Sequence, residues 1–216
     1  MRLAFFVSGG GSNMQAILDA IATGTLDATP AVVVSDRPSI GALNRAERHG
    51  LPAAIVRPRD YAPLADGTAP NGTFGQALLE VLRGYQVDTV ALAGYLRHIP
   101  SVVVRAYRHR MLNVHPSLLP AFGGPGMYGH RVHQAVLDHG DKWSGASVHF
   151  VDEDYDTGPI ILQAPVPVAP GDTASTLAAR VLKKEHQLFP EALRLLATDR
   201  LRIYGRRVEV IEEHAR

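Results

Sequence analysis

The chain contains no cysteine. Disulfides, thiolate nucleophiles and cysteine-ligated zinc or iron–sulfur centres are therefore excluded. The absence is compatible with a reducing compartment. An excess of charge is also missing. Across 216 residues, 22 Lys and Arg stand against 21 Asp and Glu, a net charge of +1. That balance gives no electrostatic attraction to duplex nucleic acid or an anionic membrane. No stretch approaches the ~18 uninterrupted apolar residues that span a bilayer. The first apolar run, 3–7, stops at Ser8-Gly9 and is too short for a secretory core segment. These absences lead us to expect a soluble cytoplasmic protein without nucleic-acid or membrane partners. Monomer and homodimer both stay open.

With 46% hydrophobic residues, the chain is long enough for one large buried core. Short apolar runs at 3–7, 32–34, 53–56 and 90–93 alternate with segments of helical period. Met14, Ile17, Leu18 and Ile21 mark one helix face; 42–49 forms a second helix closed by Gly50; Phe74, Leu78, Leu79 and Leu82 mark a third. Continuous apolar strands alternating with helices predict an α/β fold, a mostly parallel sheet with helices on both faces. The second half differs. It reads as a short strand at 111–114, a long loop from Pro116 to His130, strands at 146–151 and 160–168, and a long helix at 174–197. A terminal hairpin is expected around Gly205-Arg206. The expected organisation is one domain, 1–216, with an amino half 1–110, a second half 111–200 and the terminal hairpin 201–216.

Two features carry chemistry. "SGGGSNM", residues 8–14, joins the first strand to the first helix. Its glycines let backbone approach an anion, and Ser12 or Asn13 is placed to cap a helix whose free N–H groups favour phosphate. It lacks the Gly-Lys-Ser/Thr of a P-loop, and the third glycine of a dinucleotide fingerprint would fall on Met14. The other feature is "NVHPSLLP", residues 113–120. Asn113 and His115 lie two apart, so on a strand they share a side, and Pro116 ends the pairing. Later come His149, the acidic run Asp152-Glu153-Asp154 and Asp156. Amide, imidazole and carboxylate together suit acyl-type transfer: donors for an oxyanion and a group to move a proton. Without Cys or a Gly-x-Ser-x-Gly elbow, a covalent acyl-enzyme is disfavoured, and Ser117 is only a sequence neighbour of His115. Spacing alone also fits a core histidine at 115 and a solvated acidic turn. It fits less well a metal held by His130 and His133 with His115 or His149.

Five blocks then resemble one family. "SGGGSN" at 8–13, "ALAGYLR" at 91–97, "LNVHPSLLPAF" at 112–122, "GASVHFVDEDYDTGPII" at 145–161 and "EHQLFP" at 185–190 are similar, in order, to phosphoribosylglycinamide formyltransferases. The resemblance implies a Rossmann-like, nucleotide-binding amino half, with a catalytic and folate-binding half after it. It implies direct formyl transfer from the cosubstrate 10-formyltetrahydrofolate to the amine of glycinamide ribonucleotide, with no metal. Its catalytic trio falls on Asn113, His115 and Asp156. Its ribonucleotide site falls on Gly11, Ser12, Asn13 and Glu185, with Lys183 and Lys184 beside it. Its folate pocket falls on Leu96, Arg97, His98, Ile99, Asn113 and the loop Asp152, Glu153, Asp154, Tyr155, Asp156. The expectation is that Asp156 favours a protonated His115.

Two places depart from the pattern. The loop "AFGGPGMYGHR" is longer and richer in glycine, so Tyr128 and His130 are expected to line the folate site differently. Asn71 stands where some members carry a basic residue, and Lys183 or Lys184 is the expected substitute. Rival readings are a tRNA formyltransferase half, a formyltetrahydrofolate hydrolase and a non-catalytic phosphosugar- or folate-binding module. The near-neutral charge weighs against tRNA, and the intact trio against a binding module.

Overall fold

A computed structural model describes residues 1–61 and 72–212. Asn71 lies outside the described residues. Five parallel strands form the body of a sheet: β1 (Arg2–Val7), β2 (Thr29–Ser35), β3 (Ala53–Ile55), β4 (Thr89–Leu92) and β5 (Met111–His115). Two more, β6 (Trp143–Phe150) and β7 (Ile160–Pro167), extend it antiparallel, giving the order β3-β2-β1-β4-β5-β6-β7. The turn at 151–159 is too short for a crossover, so β7 must run back against β6.

The helices α1 (Ser12–Ala22), α2 (Gly41–Arg48), α3 (Phe74–Gly84), α4 (Ser101–Ala106), α5 (His130–His139) and α6 (Ala174–Ala197) pack on this sheet. Alternation along β1 assigns the faces. Leu3, Phe5 and Val7 join Met14 and Ile17 of α1 and Phe189 and Leu193 of α6 in one core. Ala4 and Phe6 join Leu78 and Leu82 of α3 and Val103 of α4 in the other. Both faces are buried, which is why the strands read as unbroken apolar runs. Two strands, β8 (Leu201–Tyr204) and β9 (Arg207–Val210), form the terminal hairpin about Gly205.

Two helices escaped the sequence reading. The α4 segment is a six-residue run rich in β-branched valine, poor in helix propensity. The α5 helix starts inside the glycine-rich stretch that reads as loop. The caps of α1 also differ from expectation. Gly11 is the N-cap residue, left-handed at φ 74, and no side chain caps the helix. A Cβ on Gly11 would stand 2.7 Å from Ala42 Cβ, so only glycine fits this approach of α1 to α2. Ser12 and Asn13 therefore sit inside the first turn, and Asn13 is used elsewhere.

The strand order reverses between β1 and β4. In open α/β sheets the crevice outside the carboxyl ends of such strands is the usual ligand site. Here those ends carry Ser8-Gly9, Gly94 and Asn113 to His115, and they open onto one cavity.

Candidate active site

A cavity of about 740 Å³ runs from the glycine turn, past the end of β5, to the 152–156 loop. Asn113 and His115 project to the side opposite Leu112 and Val114, which enter the core. Asp156 is brought to both by the loop between β6 and β7. Its own backbone is left-handed at φ 55, an uncommon conformation for a residue with a side chain. Gly158 makes the return possible, because a Cβ there would overlap the carbonyl of Phe150.

The Asp156 carboxylate is the hub. Oδ2 accepts from the Gly124 N–H at 2.9 Å and lies 3.5 Å from His115 Nδ1. Oδ1 accepts from Asn113 Nδ2 at 3.3 Å and lies 3.6 Å from His149 Nε2. Burial pushes Asp156 upward, but the neighbouring His149, the charge of His115 and the Gly124 N–H outweigh it. Its pKa ends below the ordinary carboxylate value. The hub is anionic at neutral pH.

His115 is 3% exposed. Its Nε2 pairs with the Phe122 carbonyl at 2.8 Å, and since a carbonyl only accepts, Nε2 carries the hydrogen. A neutral ring thus turns a lone pair on Nδ1 toward the carboxylate, and a proton there converts the contact to an ion pair. Burial lowers the His115 pKa; Asp156 and the Phe122 carbonyl push it back, and burial prevails. The expectation that Asp156 favours the protonated ring holds for its own contribution, but desolvation overrides it. The Asn113 amide is likewise engaged: Nδ2 meets His149 Nε2 at 3.1 Å as well as Asp156.

At the far end of the cavity, Asn13 Nδ2 donates to Glu185 Oε2 at 2.7 Å, joining α1 to α6 across 172 positions. Burial raises the Glu185 pKa, and the Asn13 contact only partly opposes this. Asn13 Oδ1 is buried and has no partner among the described residues.

Comparison with known proteins gives the family. The family model described as "Formyl transferase" matches residues 1–193. The chain belongs to the formyl transferase family. It is 45% identical over 200 residues to the chloroplastic phosphoribosylglycinamide formyltransferase of Vigna unguiculata, covering 93% of this chain and 62% of that one. The chain thus spans under two thirds of that relative. Against the phosphoribosylglycinamide formyltransferase of Bacillus subtilis, identity is 37% over 195 residues, covering 90% of this chain and 94% of the other. The crystal structure of glycinamide ribonucleotide transformylase 1 from Symbiobacterium toebii superposes with a TM-score of 0.88 at 44% identity, covering 98% of this chain and 94% of that one.

Most residues singled out from sequence converge on the cavity. Leu96, Arg97, His98, Ile99, Asp152, Asp154 and Tyr155 line it beside the trio. His98 and Tyr155 meet with their rings tilted by 59° and centred 4.9 Å apart, and His98 Nε2 bonds the Glu153 carbonyl. Glu153 itself pairs with Arg105 and does not line the cavity. Arg97 is held by Asp36 at 2.7 Å. Burial raises the pKa of Asp36, but Arg37, Ser8 and Arg97 bring it below the ordinary value. At the other end Asn13 and Glu185 line the cavity and Gly11 is buried behind them. Lys183 and Lys184 do not reach it: α6 faces the cavity with Ala178, Leu182 and Glu185, and Lys184 Nζ contacts Gln187. Tyr128 and His130 both line the cavity.

Three more residues stand at the site. His149 reads from sequence as a second histidine or a metal ligand, yet the Asn113 to His149 pairing of β5 with β6 sets it against the trio. Tyr95 lines the cavity with its hydroxyl buried and, among the described residues, without a partner, and burial pushes its pKa well up. His133 also lines it, with no partner for Nδ1 among the described residues and its pKa lowered by burial to about 4. Ser117 spends its hydroxyl on the Ala121 carbonyl. Among the described residues no cluster of three or more His, Asp and Glu is arranged to hold a metal. Among the same residues no helix is long and apolar enough to cross a membrane.

Proposed function

We propose that this chain transfers the formyl group of 10-formyltetrahydrofolate to the amine of 5-phosphoribosylglycinamide, releasing the N-formyl ribonucleotide and tetrahydrofolate in purine biosynthesis. The observation that carries the reading is the convergence of Asn113, His115 and Asp156 at the middle of a cavity with a glycine turn and Glu185 at one end. Family membership and the relatives' names support it.

In this reading the ribonucleotide phosphate sits against the turn at Gly11, Ser12 and Asn13, and Glu185 meets the ribose. The pteridine lies among Leu96 to Ile99 and the 152–156 loop. Lys183 and Lys184 serve only as background charge. The uncharged amine attacks the formyl carbon, and negative charge builds on the formyl oxygen. Asn113 turns its weaker contact, the 3.3 Å one to Asp156, toward that oxygen. Once protonated, His115 donates from Nδ1, because Nε2 is committed to Phe122. Each preorganised donor is typically worth ~3 kcal/mol in the transition state. Asp156 favours the imidazolium and relays the amine proton, through water, to the folate nitrogen as the carbon–nitrogen bond breaks. The amine loses one proton, the folate nitrogen gains one, and the formyl group changes partner.

The absorbance of released tetrahydrofolate tests this directly. Release that requires the ribonucleotide supports transfer. Release without it makes the protein a hydrolase, and no release makes it a binding protein. The same reading carries a cytoplasmic location, which fractionation of the native cell checks.

A further inference from the structure

Among the described residues, α6 brings no cation to the phosphate end of the cavity, presenting Ala178, Leu182 and Glu185 there. We propose that Arg45 of α2 is the residue that builds the phosphate subsite, by holding the glycine turn from behind. This rests on the ribonucleotide reading above.

Arg45 Nε donates to the Gly10 carbonyl at 2.9 Å, and Nη1 donates to Gln15 Oε1 at 3.2 Å. One residue earlier, the Ala42 N–H donates to the Gly9 carbonyl at 3.0 Å. In a trans peptide the carbonyl and the following N–H point in opposite directions. Fixing the Gly9 and Gly10 carbonyls toward α2 therefore aims the N–H groups of Gly10 and Gly11 away from it. Among the described residues neither N–H has an acceptor. With the free N–H groups opening α1, they form a concave set of donors suited to a phosphate monoester dianion. The contact is close: a Cβ on Gly41 would stand 3.3 Å from Gly10 Cα. Arg45 adds its own positive charge to the same turn. Gln15, bridged to Asp19 at 2.8 Å, keeps the guanidinium in place. Arg45 is a positioning residue, acting on phosphate through the peptides it orients.

Arg45→Met keeps the stem and removes the charge and both hydrogen bonds; Arg45→Lys keeps the charge but cannot span both acceptors. Arg45→Met is expected to raise KM for the ribonucleotide by about tenfold or more while KM for 10-formyltetrahydrofolate stays within about twofold. Arg45→Lys should fall between it and the parent. The thermal shift given by inorganic phosphate on the parent protein should shrink in Arg45→Met. An unchanged ribonucleotide KM overturns the inference, as does an equal rise in both KM values. If Arg45→Met does not fold, Arg45→Lys decides: a ribonucleotide-specific rise supports the inference and no rise ends it. If the parent protein transfers no formyl group, the functional reading fails by itself. The phosphate shift of the Arg45 variants then still decides this inference.

Discussion

His149 Nε2 lies 3.6 Å from Asp156 Oδ1, while its Nδ1 pairs with the Phe150 carbonyl at 2.7 Å. The carbonyl holds the Nδ1 hydrogen, so a neutral His149 offers a lone pair at Nε2, and the Asn113 amide donates to it. His149 therefore orients Asn113 without touching the reacting atoms. His149→Leu should lower kcat by about a hundredfold with little change in either KM, as expected for loss of transition-state positioning. His149→Gln, which can still accept from Asn113, should recover part of it. Steady-state kinetics of both variants check this.

Asp156→Asn should lower kcat by roughly 10²- to 10⁴-fold, the usual range for a proton-transfer group. The pH profile adds a second readout. Asp156 holds the His115 pKa up against burial, so its neutralisation lets that pKa fall further. If imidazolium is the active form, the alkaline limb of kcat moves to lower pH in the variant. A limb at the parent's position would remove His115 as the proton donor.

Buried His133 bears on acid stability. Its folded pKa, lowered to about 4, lies under the ordinary 6.5. The unfolded chain thus takes up a proton first as pH falls. Stability is unaffected above about pH 6.5 and declines between there and about pH 4. His133→Leu should flatten that part of the curve, removing about 2–3 kcal/mol of its fall. Urea unfolding at several pH values measures it.

Glu185 has the opposite sign. Burial raises its folded pKa, so the fold favours the neutral acid, and a stability penalty grows as pH rises above the ordinary carboxylate value. Glu185→Gln removes that penalty and should raise Tm at neutral pH. It should also raise KM for the ribonucleotide by about tenfold, because a group held against its solvation preference is kept for ligand binding. A lower Tm at pH 7 would contradict the assignment.

Gly158→Ala should be strongly destabilising, by about 3 kcal/mol or more, since the added carbon meets the Phe150 carbonyl and the backbone near Asp152. Any folded fraction should lose activity, because the loop that presents Asp156 is displaced. Circular dichroism separates the two losses. Gly84→Ala, where nothing lies within 4 Å of the added carbon, is the control.

The alternation of apolar runs with helical periods determined the α/β sheet, because strands buried on both faces have no polar positions to give. Local spacing also determined that Asn113 and His115 share one side of a strand, and the long helix at 174–197 was legible to its ends. Other features were decided only by tertiary structure. The antiparallel β6 places His149 against Asn113 by cross-strand register, a relation no local spacing encodes. Asn13 reads as a helix cap, but Gly11 takes that role and Glu185 claims the Asn13 side chain from 172 residues away. The lysines beside Glu185 look right in sequence, yet one and two residues along a helix are turns of roughly 100° and 200°, which point them away from the cavity. The His115 pKa could not be read from its acidic partner alone, because desolvation depends on what the whole fold packs around it. Sequence sets which groups are present and what each can do; distance and burial between remote segments set which of them act together.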